Sequence, residues 1–352
     1  MWSSTGTRST RRSDMGAISP VTIEAKYYRK EGENFFCELC PRGCVLKEGQ
    51  TGLCGARRVQ KGILVANTYG RVSCIAVDPM EKKPLYNYLP KTRVFSIGSI
   101  GCNMSCRHCQ NYAISQSVSG SKRTTYKSPE DIVSMFTKEG IMSMAFTYNE
   151  PGLWIEYIMD ITAHAPDLRY VMVSNGLLNE EPLKDLCNVI DAFNIDLKGF
   201  NEEFYLNICG AHLDDVLKSL KTIYESGAHL ELTYLVIPDY NDDLEEIDRM
   251  SKWIIENLSC DVPLHFTRFH PDNQMVDVPW TPLDTLVNAR EAAMSAGMNY
   301  VYIGNVMSDG GSDTICPECG SVVIERIGYM VDIIGLDGDR CSNCGRRIQI
   351  IR

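Results

Sequence analysis

The sequence predicts an α/β fold: a partial (β/α)6 barrel, preceded by an N-terminal cysteine-rich β unit and followed by a C-terminal zinc-ribbon or rubredoxin-like unit. From Arg93 onward, short β-rich runs alternate with helix-like segments, which is typical of a parallel sheet built from βα units. Most of the fifteen cysteines fall into three groups. Polar motifs follow the ends of successive predicted strands, where barrel chemistry is usually found.

The cysteine groups divide the chain better than any linker does. We expect a disordered tail, the cysteine-rich unit, the barrel and the ribbon over residues 1–20, 21–92, 93–306 and 307–352. The tail begins with a Ser/Thr/Arg-rich stretch that has no acid before Asp14 and no hydrophobic periodicity, which indicates disorder. Met15 is an alternative start of the protein.

Hydrophobic periodicity locates the elements of the barrel. The predicted strands are Val94–Ile97, Ser143–Tyr148, Tyr170–Ser174, Ala192–Leu197, Leu230–Ile237 and Leu264–Phe269, with Tyr300–Ile303 as a seventh. The predicted helices are Pro129–Lys138, Leu153–Ala163, Glu181–Val189, Leu213–Glu225, Leu244–Leu258 and Leu283–Ala296. In the N-terminal unit, a hairpin is predicted from Ile63 to Val77 around Tyr69-Gly70.

Composition and charge exclude several classes of function. Hydrophobic residues make up 44% of the chain, but no apolar run approaches the roughly 20 residues that span a bilayer. The net charge of −10 argues against a nucleic-acid-binding surface. Fifteen cysteines without a hydrophobic signal segment indicate a reducing compartment, so we expect a cytoplasmic protein without a membrane partner.

The most informative motif is C-x3-C-x2-C, formed by Cys102, Cys106 and Cys109 after the first barrel strand. Three thiolates on a compact loop suit a cubane [4Fe–4S] cluster, because each holds one iron while the fourth iron stays free to bind a small molecule. A zinc site would need a fourth ligand, and the nearest candidate, His108, is adjacent to Cys109 and would strain tetrahedral geometry. The motif therefore favours a cluster with an open iron.

Polar pairs follow the next three strands, at the rim that forms the active face of such barrels. They are Asn149 and Glu150, Ser174 and Asn175, and Asp196 and Lys198. Asp196 and Lys198 alternate along their strand and so point the same way, toward the interior if Ile195 and Leu197 face the helices. Inward charges are costly unless they are paired or functional. A structural ion pair and, for Ser174-Asn175, a simple strand-to-helix turn remain alternatives.

The predicted strand Leu264–Phe269 carries His265 and Arg268, and His270 follows it directly. We take these three as candidate catalytic residues at the substrate end. The two histidines have opposite parity along the strand, so one can face the site while the other packs. Proton transfer, hydrogen bonding and core filling all remain open for them.

Two further cysteine groups are typical of metal sites. Two C-x2-C-G knuckles near the C-terminus predict a four-thiolate zinc or iron site formed by Cys316, Cys319, Cys341 and Cys344. A second four-ligand set, holding either zinc or a second [4Fe–4S] cluster, is formed by Cys37, Cys40, Cys44 and Cys54. The N-terminal set has either a structural role or a role in electron relay.

These motifs resemble those of a known superfamily. The loop Cys102–Gln110 resembles the cluster motif of radical S-adenosylmethionine (SAM) enzymes. Similarity to the pyruvate formate-lyase activating enzyme group extends over Tyr148–Pro151, Val173–Gly176, Ile195–Gly199 and Leu235–Asp242. A closer resemblance, to AmmeMemoRadiSam-system radical SAM proteins, rests on the N-terminal cysteines, the ribbon, Asp78–Leu85, Arg268–Pro271 and Tyr302–Asn305.

The resemblance implies that SAM binds the open iron through its amine and carboxylate. One electron, from a ferredoxin- or flavodoxin-type donor, then releases methionine and a 5′-deoxyadenosyl radical that abstracts hydrogen from a substrate. The implied SAM-binding residues are Asn149, Glu150, Ser174, Asn175, Asp196, Lys198 and His108, with Glu150 accepting from the amine and His108 stacking on adenine. Tyr148 and Asn149 depart from the Gly-Gly that commonly precedes this glutamate.

Three functions follow as hypotheses. The first is a glycyl-radical activase, in which glycine of a partner protein donates the hydrogen. The second is a radical SAM enzyme that acts on a metabolite or another protein, alongside Memo-type partners. The third belongs to a different class: an iron–sulfur electron-transfer or binding module without SAM chemistry.

Overall fold

The computed structural model describes residues 21–116 and 124–352. The predicted tail over residues 1–20, with Met15, lies outside the described residues. The strands are β1 (Tyr28–Glu31), β2 (Asn34–Cys37), β3 (Val45–Leu46), β4 (Arg57–Gln60), β5 (Ile63–Ala66), β6 (Arg71–Val72), β7 (Cys74–Pro79), β8 (Arg93–Gly98), β9 (Thr125–Tyr126), β10 (Ser143–Phe146), β11 (Arg169–Ser174), β12 (Ala192–Asp196), β13 (His229–Val236), β14 (Leu264–Arg268), β15 (Val301–Gly304), β16 (Thr314–Ile315), β17 (Val322–Ile327), β18 (Met330–Ile333), β19 (Leu336–Asp337) and β20 (Arg340–Cys341). The helices are α1 (Tyr112–Ser115), α2 (Pro129–Lys138), α3 (Ile155–His164), α4 (Glu180–Cys187), α5 (Glu202–Phe204), α6 (Leu213–Ser226), α7 (Leu244–Asn257) and α8 (Leu283–Ser295).

The centre of the fold is an eight-stranded sheet in the order β15-β14-β13-β12-β11-β10-β8-β7. Each neighbouring pair from β8 to β15 is parallel, whereas β7 pairs antiparallel with β8 at the edge. The predicted α/β class with a mostly parallel sheet is confirmed, and the expected seventh strand pairs with β14 as β15. Within the described chain, β7 and β15 do not pair with each other, so the barrel is incomplete.

The predicted hairpin from Ile63 to Val77 is wrong. Strand β5 pairs with β4 instead, across the two-residue turn Lys61-Gly62, in which both residues have positive φ. Strand β6 pairs with β9, and β7 joins the central sheet. The central sheet therefore includes β7, which lies within the predicted N-terminal unit. The predicted division of the chain into a tail, a cysteine-rich unit, a barrel and a ribbon stays a proposal.

Local sequence signals explain where the helices begin and end. Helix α2 begins at a capping box in which Ser128 and Asp131 each accept a hydrogen bond from the other's backbone N–H, with Pro129 in the first turn. Helix α6 ends at Gly227, whose φ of +82° is the left-handed conformation that glycine adopts most easily. The ends of these helices therefore follow from sequence, while their apolar faces pack on the sheet.

The two faces of the sheet have different partners. On the outer face, side chains such as Phe146 and Ile195 pack with the helices in the main core. On the inner face, Ala145, Val171 and Ala192 pack against the segment that links β7 to β8. This linking segment fills the inside of the sheet at the amino ends of the strands, so that a cavity is left at their carboxyl ends.

A buried carboxylate fixes the linking segment. Glu231 on β13 accepts hydrogen bonds from the backbone N–H groups of Tyr86 and Asn87, at 3.0 and 2.8 Å. Its two oxygens also contact the Nε2 atoms of His229 and His265, at 2.9 and 2.7 Å. Because a buried charge is costly without partners, these four contacts explain how Glu231 is accommodated.

The C-terminal unit packs against the same segment. From β17, Arg326 donates to the carbonyl oxygen of Tyr86 at 2.7 Å, and its guanidinium lies over the Tyr86 ring. Backbone hydrogen bonds also join Asn87 and Leu89 to Ile351. In the described part of the chain, none of the helices has the length and apolar character needed to cross a membrane.

Candidate functional site

A cavity of about 460 Å³ lies at the carboxyl ends of the parallel strands. This volume falls within the usual range for small-molecule sites. All of the residues that we expect to bind the cluster and SAM line this cavity: Cys102, Cys106, Cys109, His108, Asn149, Glu150, Ser174, Asn175, Asp196 and Lys198. The fold thus gathers residues that are distant in sequence around one space.

The cysteine loop after β8 is held by neighbouring elements. The side-chain oxygen of Asn149 accepts from Ser99 N at 2.8 Å, and its amide nitrogen donates to Gly101 O at 3.0 Å. The backbone N–H of Ser105 donates to the carbonyl of Cys209 at 2.9 Å. These bonds fix the loop, and they engage the polar atoms of Asn149, whose contribution to SAM binding stays a prediction.

The three thiols of the loop have donors suited to a bound cluster. The backbone N–H of Met104 lies 3.4 Å from the Cys102 sulfur, and the Ser115 hydroxyl lies 3.1 Å from the Cys109 sulfur. A hydrogen bond from the Cys209 thiol lowers the pKa of Cys106. Burial raises this pKa, and the charge of the Lys198 ammonium lowers it, so that the net shift is downward. Donors around cluster sulfurs are a known means of tuning such centres, so the residues present fit a three-thiolate cluster.

Glu150 forms a hydrogen-bonded hub between β10 and β11. Its carboxylate accepts from the Ser174 hydroxyl and from the backbone N–H groups of Asn175 and Gly152, each at 2.8 Å. Burial raises the pKa of Glu150 to about 7, although these three hydrogen bonds lower it. The carboxylate is therefore poised to change charge near neutral pH.

Asp196 and Lys198 form an ion pair of 3.0 Å at the end of β12. Both line the cavity, while Ile195 and Leu197 belong to the helix-side core, as alternation along a strand requires. Burial alone would lower the pKa of Lys198, but Asp196 and the nearby thiols raise it well above its usual value. The ammonium therefore stays charged beside the cysteine loop.

His108 is buried against the ring of Phe204, with centroids 6.4 Å apart and planes 27° from parallel. Its Nδ1 atom has no hydrogen-bond partner among the described residues. Burial, followed by the charge of Lys198, lowers the pKa of His108 to about 3, so the ring is neutral. A neutral aromatic ring with a free nitrogen at the cavity wall is suited to contact a bound molecule.

A cluster of charged residues near the cavity was not identified as part of the site from sequence. Asp78 accepts from Lys82, Lys83 and Tyr148, at 2.8, 2.7 and 2.8 Å. Both lysines and the tyrosine line the cavity, and Lys83 is almost completely buried. The sequence does show a run of charged residues in Asp78–Leu85. Only the pairing of β7 with β8 reveals that this run lies beside the cavity.

The predicted catalytic residues of β14 and its following loop do not line the cavity. His265 points to Glu231 and packs edge-on to Tyr86, with ring centroids 4.6 Å apart. Arg268 donates to Thr281 O at 2.8 Å and, like His270, lies against Trp280. From β14, Thr267 lines the cavity instead. The substrate role of His265, Arg268 and His270 stays a prediction, and none of the three lines the cavity.

The two other cysteine sets are each brought together. In the C-terminal unit, the sulfurs of Cys316, Cys319, Cys341 and Cys344 lie within 4.8 Å of one another and can hold a metal ion. The N-terminal set surrounds a separate small cavity next to the cysteine loop, lined by Cys37, Cys40, Cys44 and Cys54.

Comparison with known proteins identifies the superfamily. The sequence model of the Radical SAM superfamily matches residues 96–251, which include the cysteine loop and the polar residues of the rim. The chain is also 41% identical, over 333 residues, to uncharacterized protein MJ0808 of Methanocaldococcus jannaschii, with coverage of 93% of this chain and 99% of that protein. The chain belongs to the radical SAM superfamily.

More distant relatives of this radical SAM enzyme are activating enzymes. Identity to the benzylsuccinate synthase activating enzyme of Thauera aromatica is 23% over 138 residues, which is 36% of this chain and 41% of that enzyme. Identity to the pyruvate formate-lyase 1-activating enzyme of Escherichia coli is 23% over 159 residues, which is 44% of this chain and 65% of that enzyme. Membership of the superfamily implies a [4Fe–4S] cluster and SAM.

Proposed function

We propose that Cys102, Cys106 and Cys109 hold a [4Fe–4S] cluster at which SAM is reductively cleaved. The observation that supports this most strongly is that all three thiols share one cavity with Glu150, Asn175 and the Asp196–Lys198 pair. When bound, the cluster and SAM supply a 5′-deoxyadenosyl radical that abstracts hydrogen from a substrate.

The chain's own residues position SAM and shield the reaction. Glu150, held by Ser174 and Asn175, offers its carboxylate to the amine of SAM. The Asp196–Lys198 pair offers both an acceptor and a donor to the carboxylate or ribose. His108 offers the ring that stacks on adenine. By enclosing the reacting groups, these side chains exclude solvent and other hydrogen donors from the radical.

We further propose that the hydrogen donor is a glycine of a partner protein, as the resemblance to the activating-enzyme group implies. The similarity of the chain to two activating enzymes supports this. An iron–sulfur or flavin protein would supply the electron. A metabolite or another protein, alongside a Memo-type partner, is the second candidate for the substrate, and the AmmeMemoRadiSam assignment that suggests it stays a prediction.

Binding and donor identity are tested separately. Anaerobically reconstituted protein, reduced and mixed with SAM, should show a changed electron paramagnetic resonance (EPR) spectrum, and Asp196→Asn should weaken SAM binding. Exposed Asp284→Asn is the matched control. With an unlabelled partner, EPR should show a protein-centred doublet, and with a partner whose glycine carries deuterium at its α-carbon, the deuterium should appear in 5′-deoxyadenosine. A spectrum that is insensitive to SAM would overturn the cluster proposal, whereas unlabelled product would overturn only the glycine proposal.

A further inference from the structure

The four N-terminal cysteines surround a cavity distinct from the one that holds the cysteine loop. Cys37 ends β2, Cys40 and Cys44 lie in the turn before β3, and Cys54 precedes β4. The turn is closed by a hydrogen bond from Cys37 N to Cys44 O at 2.9 Å. Cys37, Cys40 and Cys54 are buried, at 7%, 6% and 8% exposure. Four convergent thiols with little access to solvent form a ligand set for a metal centre.

The spacing of the sulfurs separates this set from the C-terminal ribbon. A single tetrahedral ion with metal–sulfur bonds of about 2.3 Å holds its sulfurs about 3.8 Å apart. The ribbon matches this distance: the Sγ atoms of Cys316 and Cys344 are 3.6 Å apart, and those of Cys319 and Cys341 are 3.7 Å apart. Across the described chain, three N-terminal sulfurs never lie within 4.8 Å of one another, and the same is true of the C-x3-C-x2-C loop. Neither the N-terminal set nor the cluster loop therefore has the close sulfur packing that the ribbon has.

A buried donor also lacks an acceptor at this cavity. Arg57 is 1% exposed, and its terminal nitrogens pair with Glu156 and with the carbonyls of Ala56 and Leu153. Its Nε–H has no partner among the residues that the structure describes, although Arg57 lines the cavity. Buried donors without partners are rare and call for an explanation. Sulfur atoms of an anionic cluster would accept this hydrogen bond.

The N-terminal set is in direct contact with the loop that carries Cys102. A Cβ atom placed on Gly101 would lie 2.2 Å from the carbonyl oxygen of Cys54, so only glycine permits this approach. Between Cys40 and Cys44, Arg42 donates from Nε to the carbonyl of Asn103 at 2.8 Å. Asn103 lies within the C-x3-C-x2-C loop and also lines the N-terminal cavity. The two cysteine sets are therefore joined without an intervening layer.

From these contacts we propose that Cys37, Cys40, Cys44 and Cys54 hold a second, all-cysteine [4Fe–4S] cluster that passes electrons to the cysteine loop. A low-potential iron–sulfur or flavin protein would give one electron to this cluster, taking it from the 2+ to the 1+ state. Transfer of the same electron to the centre on the loop returns the second cluster to 2+, and no bond forms or breaks. The existence of the second cluster does not depend on the proposed function. The electron transfer does depend on the proposed function, because it requires a cluster on the cysteine loop.

The cluster is tested in a variant that leaves the N-terminal unit intact. The triple variant Cys102→Ala/Cys106→Ala/Cys109→Ala, purified and reconstituted without oxygen, should retain about four irons and four acid-labile sulfides per chain. After reduction it should give an EPR signal that SAM does not change. Zinc at the N-terminal set, with no acid-labile sulfide, would overturn the proposal. The ribbon metal is assigned separately, from its loss in Cys319→Ser.

Electron transfer is tested in Cys40→Ser/Cys44→Ser. This variant should keep a loop cluster whose EPR signal responds to SAM. It should lose most 5′-deoxyadenosine formation when a reduced ferredoxin or flavodoxin is the donor, yet retain it with dithionite. Equal activity with both donors would overturn the relay. If the unmodified chain carries an intact loop cluster and bound SAM but forms no product with any donor, with or without a partner protein, the proposed function is overturned. The iron and sulfide content would still decide whether the second cluster exists.

Discussion

The side-chain amide of Asn175 donates a hydrogen bond to the sulfur of Cys102, with Nδ2 3.4 Å from Sγ. The same nitrogen donates to Oδ1 of Asn103 at 3.0 Å, and the Asn175 backbone N–H donates to Glu150 at 2.8 Å. One residue after β11 thus connects the cysteine loop to the buried carboxylate. A change at Asn175 should therefore affect the cluster electronically as well as SAM binding.

Replacing Asn175 by Asp should lower the reduction potential of the loop cluster. The change removes an N–H donor to the Cys102 ligand, a loss of about 1 kcal/mol or roughly 40 mV for one electron, and the added negative charge lowers the potential further. A redox titration followed by EPR measures this shift. Asn188→Asp, at the exposed end of α4, is the control. An unchanged potential in Asn175→Asp would show that this hydrogen bond does not tune the cluster.

SAM affinity should rise with pH through neutrality if Glu150 accepts from the amine. Burial raises the pKa of Glu150 to about 7, so the carboxylate is mostly neutral below this pH and mostly ionised above it. The ionised fraction grows about tenfold between about pH 6 and 8. Dissociation constants measured by calorimetry across this range should show that the unmodified chain binds SAM more tightly at the higher pH. Glu150→Gln should bind SAM more weakly, with an affinity that changes less with pH. Exposed Glu203→Gln serves as the control, and an unchanged pH profile in Glu150→Gln would contradict this role.

Much of the central sheet could be predicted because its signals are local. Helix α2 begins at its capping box and ends at Lys138, as the apolar spacing indicates. Alternation along β12 correctly separates Asp196 from Ile195. Such patterns depend on neighbouring residues alone, and sequence reports them directly.

The failures concern partners that are distant in sequence. Gly70 does make a turn, but the ring of Tyr126 packs on it, where a Cβ would lie 2.4 Å away. The strand after this turn therefore pairs with β9 rather than with β5. His265 has the parity of a cavity residue, yet Glu231 binds it below the rim. Neither a strand partner nor the depth of a side chain within a barrel is encoded in the periodicity of one segment.

Glu231→Gln should destabilise the chain most near neutral pH. Burial alone would raise the pKa of Glu231, but the hydrogen bonds from His229 and His265 lower it to about 2. A depressed carboxylate contributes stability that is complete above its unfolded pKa and is lost as pH falls toward the folded value. The destabilisation caused by Glu231→Gln should therefore shrink by about 2 kcal/mol between about pH 7 and pH 3. Denaturant titrations at both pH values, with Glu291→Gln on the exposed face of α8 as control, measure this difference; a constant difference would contradict it.

Removing one ribbon ligand should release a metal ion and unfold the C-terminal unit. The cluster of Cys316, Val323, Ile324 and their neighbours is small, and a structural metal contributes about 10 kcal/mol or more of folding free energy to such units. Cys319→Ser should lose one metal equivalent by elemental analysis and expose the ribbon to protease. Cys187→Ser, which changes a cysteine outside the three groups, should retain the metal. Full metal content in Cys319→Ser would show that the four sulfurs do not form the site.

The most direct test of the central claim is the formation of 5′-deoxyadenosine. The chain, reconstituted with iron and sulfide without oxygen, is reduced in the presence of SAM and compared with Cys106→Ala and with Cys187→Ala. We predict product from the unmodified chain and from Cys187→Ala, and none from Cys106→Ala. No product from a chain that carries an intact loop cluster and bound SAM, with or without a partner protein, would contradict the assignment of SAM cleavage to this cavity.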